Sequence, residues 1–130
     1  MSNAQDQSPQ ANAGSQDILS GLRVIDLATG LAGSAASLYL AEAGAEVLKI
    51  VRPRTDAERD AVLYRVLDRG KRRVALNLCD AAGLAALDEL LAGADVLVHD
   101  LTPSEAAGFL LADANLRQQY PSLVIASVAG

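Results

Sequence analysis

Apolar and polar positions follow each other along this chain in a regular order, in which short apolar runs are separated by longer stretches with helical spacing. The short runs predict five strands, which are Leu22–Leu27, Glu46–Val51, Val74–Leu78, Asp95–His99 and Leu123–Val128. The stretches between them carry apolar residues three or four positions apart and predict helices, which are Ser34–Ala43, Ala57–Leu67, Ala81–Leu91, a short one opening at Thr102–Glu105, and Leu111–Tyr120.

This alternation of strands and helices is typical of α/β proteins. The strands are nearly continuous apolar runs, which indicates that they are buried on both faces, as in parallel sheets covered by helices. Right-handed crossovers between such strands give an open sheet. We therefore predict an α/β fold with an open, mostly parallel, Rossmann-like sheet of about five strands and helices on both faces.

The amino-terminal segment differs from the rest of the chain. Residues 1–18 are rich in Gln, Asn, Ala and Ser, and this composition predicts a disordered tail. The segment lacks the basic and apolar parts of a secretory signal, and no apolar run reaches the roughly 18 residues that span a bilayer. We therefore expect a cytoplasmic protein without a membrane partner. The last predicted strand stops where another βα turn should begin, so residues 19–130 are expected to be the first part of a larger domain.

Composition excludes several classes of function. Eleven basic and sixteen acidic residues give a net charge of −5, which argues against a nucleic-acid partner. The four aromatic residues are scattered and form no platform for stacking bases, so the core must consist of Ala, Leu and Val. The single cysteine, Cys79, provides neither a disulfide framework nor a metal cluster, and we predict that its thiol is unreactive.

The first strand leads into a glycine-containing turn and a helix. The segment Ala28–Gly33 nearly matches the dinucleotide-binding pattern G-x-G-x-x-G, with Ala in the first position. Such a turn directs backbone N–H groups and a helix N-terminus at one point, which favours an anion, although a tight turn without a ligand has the same sequence. Asp26, near the end of the strand, is predicted to be structural and to accept hydrogen bonds from this turn.

Basic residues follow the second strand and precede the third. Arg52 and Arg54 stand where an NAD site would have an acid, and they suit a ribose phosphate such as that of NADP or the 3′-phosphate of coenzyme A. The turn Arg69–Arg73 holds four cations that would neutralise a pyrophosphate. In both places, solvated loop charges are the alternative interpretation.

Candidates for catalysis are few. His99 is the only histidine, and a packed or surface role is favoured over a catalytic one. No Ser-His-Asp set, paired carboxylates or metal-ligand spacing stands out. We therefore predict no catalytic residue and no metal site in this sequence.

Read together, the segments resemble the family III CoA-transferases, the group that includes formyl-CoA transferase, carnitine CoA-transferase and α-methylacyl-CoA racemase. The resemblance covers residues 19–130, and its pieces are Leu19–Ala28, Leu31–Ser34, Leu40–Ile50, Tyr64–Leu78, Ala94–Val98 and Leu116–Val128. Each piece is common by itself, but their order and spacing are specific. Family members are about three times as long, so the resemblance implies the N-terminal part of the large domain, which supplies much of the CoA site.

The resemblance also implies site residues and partners. Carried over by position, the candidate CoA contacts fall at four places: Gly30 and Leu31 by the acyl thioester, Arg52 by the adenosine phosphates, Leu76, Asn77, Leu78 and Cys79 along the adenine, and Asp100 and Leu101 beside the pantetheine. Coenzyme A or acyl-CoA and a carboxylic acid would be substrates, with no tightly bound cofactor. A homodimer, or association with the rest of the transferase, is expected.

The sequence departs from the family pattern at several positions. The family commonly has Gln at Leu31, Pro at Ser34, an acid at Val51, Asn at Asp100 and Arg at Gly108. These changes bear on catalysis more than on the fold. By resemblance, the nucleophile is an aspartate outside residues 1–130, which forms a mixed anhydride and then an aspartyl-CoA thioester.

Three functions therefore remain open from the sequence. The first is the CoA-binding portion of a family III CoA-transferase. The second is the NADP-binding domain of an oxidoreductase, favoured by Gly30, Gly33 and the pair Arg52 and Arg54. The third is a non-catalytic homologue that acts as a structural or interaction module, favoured by Leu31, Ser34 and Asp100.

Overall fold

The computed structural model describes residues 18–52 and 61–128. The predicted disordered tail lies outside these residues except for its last position, as do Arg54 and the first part of the predicted second helix. The elements in chain order are β1 (Arg23–Asp26), α1 (Leu31–Glu42), β2 (Glu46–Val51), α2 (Ala61–Leu67), β3 (Arg72–Ala75), α3 (Ala81–Ala92), β4 (Val96–His99), α4 (Pro103–Gly108), α5 (Asp113–Gln119) and β5 (Val124–Ser127).

The described strands form one parallel sheet in the order β3-β2-β1-β4-β5. This confirms the predicted Rossmann-like fold. The chain moves outward from β1 through β2 to β3, and then returns to the other side of β1 for β4 and β5. The order therefore reverses between β1 and β4, and in sheets of this kind ligands bind outside the carboxyl ends of the strands at that point.

Helices cover both faces of the sheet, as predicted. One face carries the larger apolar cluster, in which α3, α4 and α5 pack on the strands through Leu, Ile and Ala side chains, among them Leu87, Leu97 and Leu116. The opposite face carries a smaller cluster under α1 that contains Val24, Val47 and Val98. The described helices include none long and apolar enough to cross a membrane.

Most predicted element ends are correct to within one or two residues, and two differences matter for the site. Helix α1 begins at Leu31 rather than at Ser34, because Gly30 in extended conformation already serves as its N-cap. Strand β3 begins at Arg72 rather than at Val74 and ends at Ala75. It lies at the edge of the sheet, where charged side chains reach solvent. Because the strand ends at Ala75, the segment Leu76–Cys79 is a loop.

Two glycines permit close packing at the carboxyl end of the sheet. A Cβ on Gly33 would lie 2.4 Å from the Cβ of Ala28. Helix α1 therefore lies closer to the turn between β1 and α1 than a residue other than glycine at position 33 would allow. A Cβ on Gly83 would lie 1.9 Å from the carbonyl oxygen of Asn77, which brings α3 against the loop after β3. Helix α3 begins as predicted, since the Asp80 side chain accepts a hydrogen bond from the N–H of Gly83.

Candidate ligand-binding site

All of the candidate CoA contacts lie at the carboxyl edge of the sheet, because each follows the end of a parallel strand. Gly30 and Leu31 follow β1, Arg52 follows β2, and Asp100 and Leu101 follow β4. The loop after β3 supplies the remaining four, namely Leu76, Asn77, Leu78 and Cys79. The fold therefore places Gly30 and Arg52 at the same edge, and their contact with a ligand remains a prediction.

The carboxylate of Asp100 occupies the turn between β1 and α1. The backbone N–H of Thr29 donates to both carboxylate oxygens at 3.1 and 3.0 Å, and the N–H of Gly30 donates to Oδ2 at 2.7 Å. The Thr29 hydroxyl lies 3.4 Å from Oδ1. The N–H groups that the sequence predicted to face an anion thus already hold one, and it belongs to the chain itself.

The other backbone groups of this turn are also engaged by the chain. The N–H of Ala28 donates to Asp26 Oδ1 at 2.9 Å, and its carbonyl accepts from Lys49 Nζ. The carbonyl of Thr29 accepts from the Tyr64 hydroxyl at 3.2 Å, and that of Gly30 accepts from the Ser34 N–H at 3.2 Å as α1 begins. The turn is therefore fixed from several elements at once.

Asp26 is the centre of a buried group of charges under α1. Its Oδ2 accepts from Lys71 Nζ at 3.1 Å and from the Ser37 hydroxyl at 2.5 Å, and Lys49 Nζ lies 3.8 Å away. The side chains of Asp26, Lys49 and Lys71 have no solvent exposure. Lys71 Nζ also reaches Asp68 at 3.5 Å. The hydrogen bond from the Ala28 N–H confirms the prediction that Asp26 accepts from the turn. The ammonium groups of Lys49 and Lys71 are further partners that the sequence analysis did not anticipate.

The basic turn before β3 is structural at the positions where contacts are resolved. Lys71 points inward to Asp26, whereas Arg69 pairs with Glu42 at 2.8 Å and Arg72 with Glu46 at 3.7 Å. Glu42 ends α1 and Glu46 begins β2, so these pairs lie towards the amino edge of the sheet. The interpretation of this turn as a pyrophosphate site is therefore not supported for these three cations.

Arg52 and the loop after β3 complete the edge. The Arg52 guanidinium lies 5.9 Å from the centre of the Phe109 ring at the end of α4, a cation–π contact that holds it over the carboxyl side. In the loop, Leu78 is buried, while Asn77 and Cys79 are exposed. The Asn77 side chain accepts from the Cys79 N–H at 2.9 Å, so this short segment has a defined shape.

A cavity of about 530 Å³ lies at the same edge, beyond the ends of β4 and β5. It is lined by the residues from His99 to Pro103 together with Ala106, Ala112, Asp113, Ser127 and Val128. Another cavity of about 360 Å³ lies against the amino-terminal parts of β1 and β2 and against α3. Only the first lies on the side where parallel sheets bind ligands, so we consider it the relevant one.

His99 is buried in the wall of the larger cavity. Its Nδ1 accepts a hydrogen bond from the N–H of Leu101 at 3.1 Å, so the neutral ring carries its proton on Nε2. Within the described parts of the chain, this Nε2 is buried and has no hydrogen-bond partner. Burial lowers the pKa of His99, against the opposing charges of Asp113 and Asp100. No group of side chains suitable for a metal ion occurs among the described residues.

Several residues that shape the site were missed in the sequence analysis, although the sequence carries a signal for one of them, Lys49. Asp26 and Lys49 each interrupt an apolar strand, and parallel pairing places them side by side in register. One acid and one base on neighbouring buried strands predict an ion pair. Ser37 and Tyr64 carry no comparable signal, because their roles depend on how α1 and α2 sit against the turn.

Removing the Lys71 ammonium should destabilise the fold strongly. Lys71→Met leaves the carboxylates of Asp26 and Asp68 buried without this partner, a change that typically costs about 3–5 kcal/mol. Arg69→Met, two residues earlier, removes a cation from an exposed pair and should cost less than about 1 kcal/mol. Urea denaturation of both variants measures the difference, and equal losses would contradict the central position of Lys71.

The single histidine should titrate below its ordinary pKa. Since folding favours the neutral ring, only the unfolded chain binds the proton readily just below pH 6.5. Stability should therefore be complete above that pH and fall as the pH drops towards the folded-state pKa. An NMR titration of the His99 ring measures this directly. Asp113→Asn should lower the pKa further, Glu89→Gln on α3 should leave it unchanged, and a pKa above 6.5 would refute the assignment.

Comparison with known proteins agrees with this geometry. Residues 19–130 match the family described as CoA-transferase family III. Two similar proteins are succinyl-CoA:glutarate CoA-transferase of Mus musculus, 28% identical over 94% of this chain and 30% of the mouse protein, and cinnamoyl-CoA:phenyllactate CoA-transferase of Clostridium sporogenes, 31% identical over 88% of this chain and 31% of the clostridial one.

A solved structure shows the same likeness in three dimensions. A CAIB/BAIF family protein from Brucella suis superposes with a TM-score of 0.80 and 28% identity, over 87% of this chain and 33% of that protein. The chain thus spans about a third of the length of the relatives it matches. Since the family match covers all but the first 18 residues, the chain belongs to CoA-transferase family III.

Proposed function

We propose that this chain is the CoA-binding N-terminal portion of a family III CoA-transferase, which moves CoA between an acyl-CoA and a free carboxylic acid. The observation that carries the proposal is that the first turn, Arg52, the loop after β3 and Asp100 all lie at one edge of the sheet, with the first turn and Asp100 at the point where the strand order reverses. Relatives named for succinyl-CoA and cinnamoyl-CoA support the substrate class.

In this proposal, charge orients the cofactor. Arg52 follows β2 and offers a guanidinium that is held against Phe109, so it suits the phosphates of the adenosine end. Asp100 follows β4 and offers a carboxylate, which repels phosphate and favours an uncharged part of the ligand. The pantetheine and thioester therefore lie nearer to β4, and the phosphates nearer to β2.

In this proposal the chain binds CoA, and the covalent step of the transfer uses residues outside 1–130. The resemblance implies an aspartate nucleophile outside residues 1–130, and the relatives are about three times as long. We propose accordingly that transfer requires the remaining two thirds of such an enzyme, supplied by association with the rest of the transferase or within a homodimer. The acid that accepts CoA would then be selected by both parts together.

The NADP-binding alternative has less support. The N–H groups of Thr29 and Gly30, which would have to receive a pyrophosphate, are already satisfied by Asp100. The third hypothesis, a non-catalytic module, is favoured by the same observation. Binding of CoA distinguishes the proposed function from that hypothesis, because a purely structural module has no reason to retain an affinity for CoA.

Arg52→Ala should weaken the binding of CoA to this chain by about 1–3 kcal/mol, the typical value of a charge-assisted hydrogen bond to phosphate. Arg23→Ala removes the same charge at the amino end of β1 and should leave the affinity unchanged. Isothermal titration calorimetry of the original chain and of both variants, with CoA and with NADPH, measures these affinities. Heat with NADPH but none with CoA would refute the proposed function, and an unchanged affinity in Arg52→Ala would remove that residue from the site.

A further inference from the structure

Strand β5 forms one edge of the sheet, and this edge is apolar. The segment Leu123–Val128 contains no charged residue, no proline and no glycine. The side chain of Val124 is 61% exposed, and no other described strand lies along the outer side of β5. An exposed apolar edge of this kind can pair with a further strand.

The opposite edge of the sheet shows how such pairing is prevented. Strand β3 carries Arg72 and Arg73 at its first two positions, and both are exposed. Arg72 also pairs with Glu46 at 3.7 Å. Charged side chains protect an edge strand, because pairing with another strand would remove water from them. The sequence therefore protects β3 by charge and leaves β5 without this protection.

Two residues of β5 direct their backbone groups outward. Val124 and Val128 donate their N–H groups, at 2.9 and 2.8 Å, to carbonyls of β4 and of the residue before it. Successive residues of a parallel strand bond to opposite sides, so the N–H and C=O groups of Ile125 and Ser127 point away from β4. Among the described residues, no strand is placed to bond them.

These outward groups suit a second copy of the same strand. In an antiparallel pair with a two-fold axis at Ala126, Ile125 of each copy lies opposite Ser127 of the other. Each of these two residue pairs exchanges two N–H···O bonds. Four hydrogen bonds therefore form, and they use all of the outward groups of both residues in both copies.

The side chains of β5 fit the same register. At the axis, Ala126 meets Ala126 of the second copy, and alanine is the smallest side chain of the strand. Val124 of each copy lies opposite Val128 of the other, and cross-strand pairs of β-branched residues stabilise a sheet. The pairing would thus cover the exposed Val124, and it brings no two charged side chains of β5 together.

We propose that two copies of this chain pair through β5, antiparallel about a two-fold axis at Ala126, and join their five-stranded sheets into one. The partner is a second copy because the strand is complementary to itself in hydrogen bonds, size and charge, as a two-fold interface requires. The pairing needs no CoA, so this inference goes beyond the proposed function and does not depend on it. A single strand pair buries a small area, so the dimer should dissociate on dilution.

Analytical ultracentrifugation of the 130-residue chain over a range of concentrations tests the pairing. The fraction of dimer should rise with concentration. Val124→Lys places an ammonium group on the edge and should raise the dissociation constant of the dimer at least about tenfold. Val66→Lys is the matched control, because Val66 is 50% exposed and lies on α2, which connects β2 to β3 at the other side of the sheet. This control should leave the dissociation constant unchanged, and circular dichroism checks that both variants are folded.

Disulfide cross-linking tests the register. Cys79→Ser first removes the exposed native thiol. In that background, Ala126→Cys places two thiols opposite each other at the axis, with Cβ atoms about 4.5 Å apart, close to the separation in a disulfide. Ser127→Cys is the control: position 127 is more exposed, but its two copies are diagonal neighbours about 7–8 Å apart. Under mild oxidation, Ala126→Cys should form dimers several-fold faster on a non-reducing gel.

The outcomes separate a second copy from other occupants of this edge. A chain that remains monomeric at every concentration refutes the proposal, even if a strand of another polypeptide binds to β5. A dimer that Val124→Lys does not weaken would assign the interface to another surface. Cross-linking that is as fast at position 127 as at position 126 would overturn the register, and this comparison keeps the proposal testable if Val124→Lys does not fold. None of these measurements uses CoA, so they stand whether the proposed function holds or fails.

Discussion

The ion pair between Asp26 and Lys71, buried between the sheet and α1, is the interaction on which the rest of the site depends. It joins the end of β1 to the turn before β3, and through Ser37 it also joins α1. Buried charges need a complete set of partners to be tolerated, so these elements have little freedom to shift independently. The consequence is a first turn whose position is fixed before any ligand arrives.

The N–H groups of this turn bind a side chain of the protein itself, although the sequence of the turn resembles one that binds a pyrophosphate. In a dinucleotide-binding fold, a glycine turn and a helix N-terminus are left open for a pyrophosphate. Here the turn is closed by Asp100, a residue seventy positions later in the chain. The chain therefore retains the Rossmann-like framework while presenting a negative charge at the place where other proteins of this architecture bind one.

Much of the fold could be predicted from sequence, because the periodicity of the strands and helices is set by burial alone. The continuous apolar runs identified five parallel strands, and the structure shows Asp80 and Thr102 accepting backbone hydrogen bonds at two of the predicted helix starts. The start of β3 was predicted incorrectly, since Arg72 and Arg73 occupy an edge strand where polarity carries no information about pairing. The length of α1 was also underestimated, because glycine at an N-cap has no side-chain signature.

The candidate site was less accessible to sequence reasoning. That Asp26 supports the turn was predictable, because an acid at the end of a buried strand has few other partners. The inward direction of Lys71 was not, since four neighbouring cations appear alike in sequence and only packing separates the buried one from the exposed ones. The contact between Asp100 and Gly30 depends on the order of strands across the sheet, which pattern alone does not determine.

Hydrogen exchange at the amides of Thr29 and Gly30 tests the central claim most directly, because it reports whether this turn is closed by the chain in solution. The account predicts that both amides exchange slowly in the ligand-free protein, with protection approaching that of the neighbouring strand β1, and that Asp100→Ala removes this protection while the amides of β1 keep theirs. Fast exchange of Thr29 and Gly30 in the unaltered chain, at the rate of an exposed loop, would contradict it.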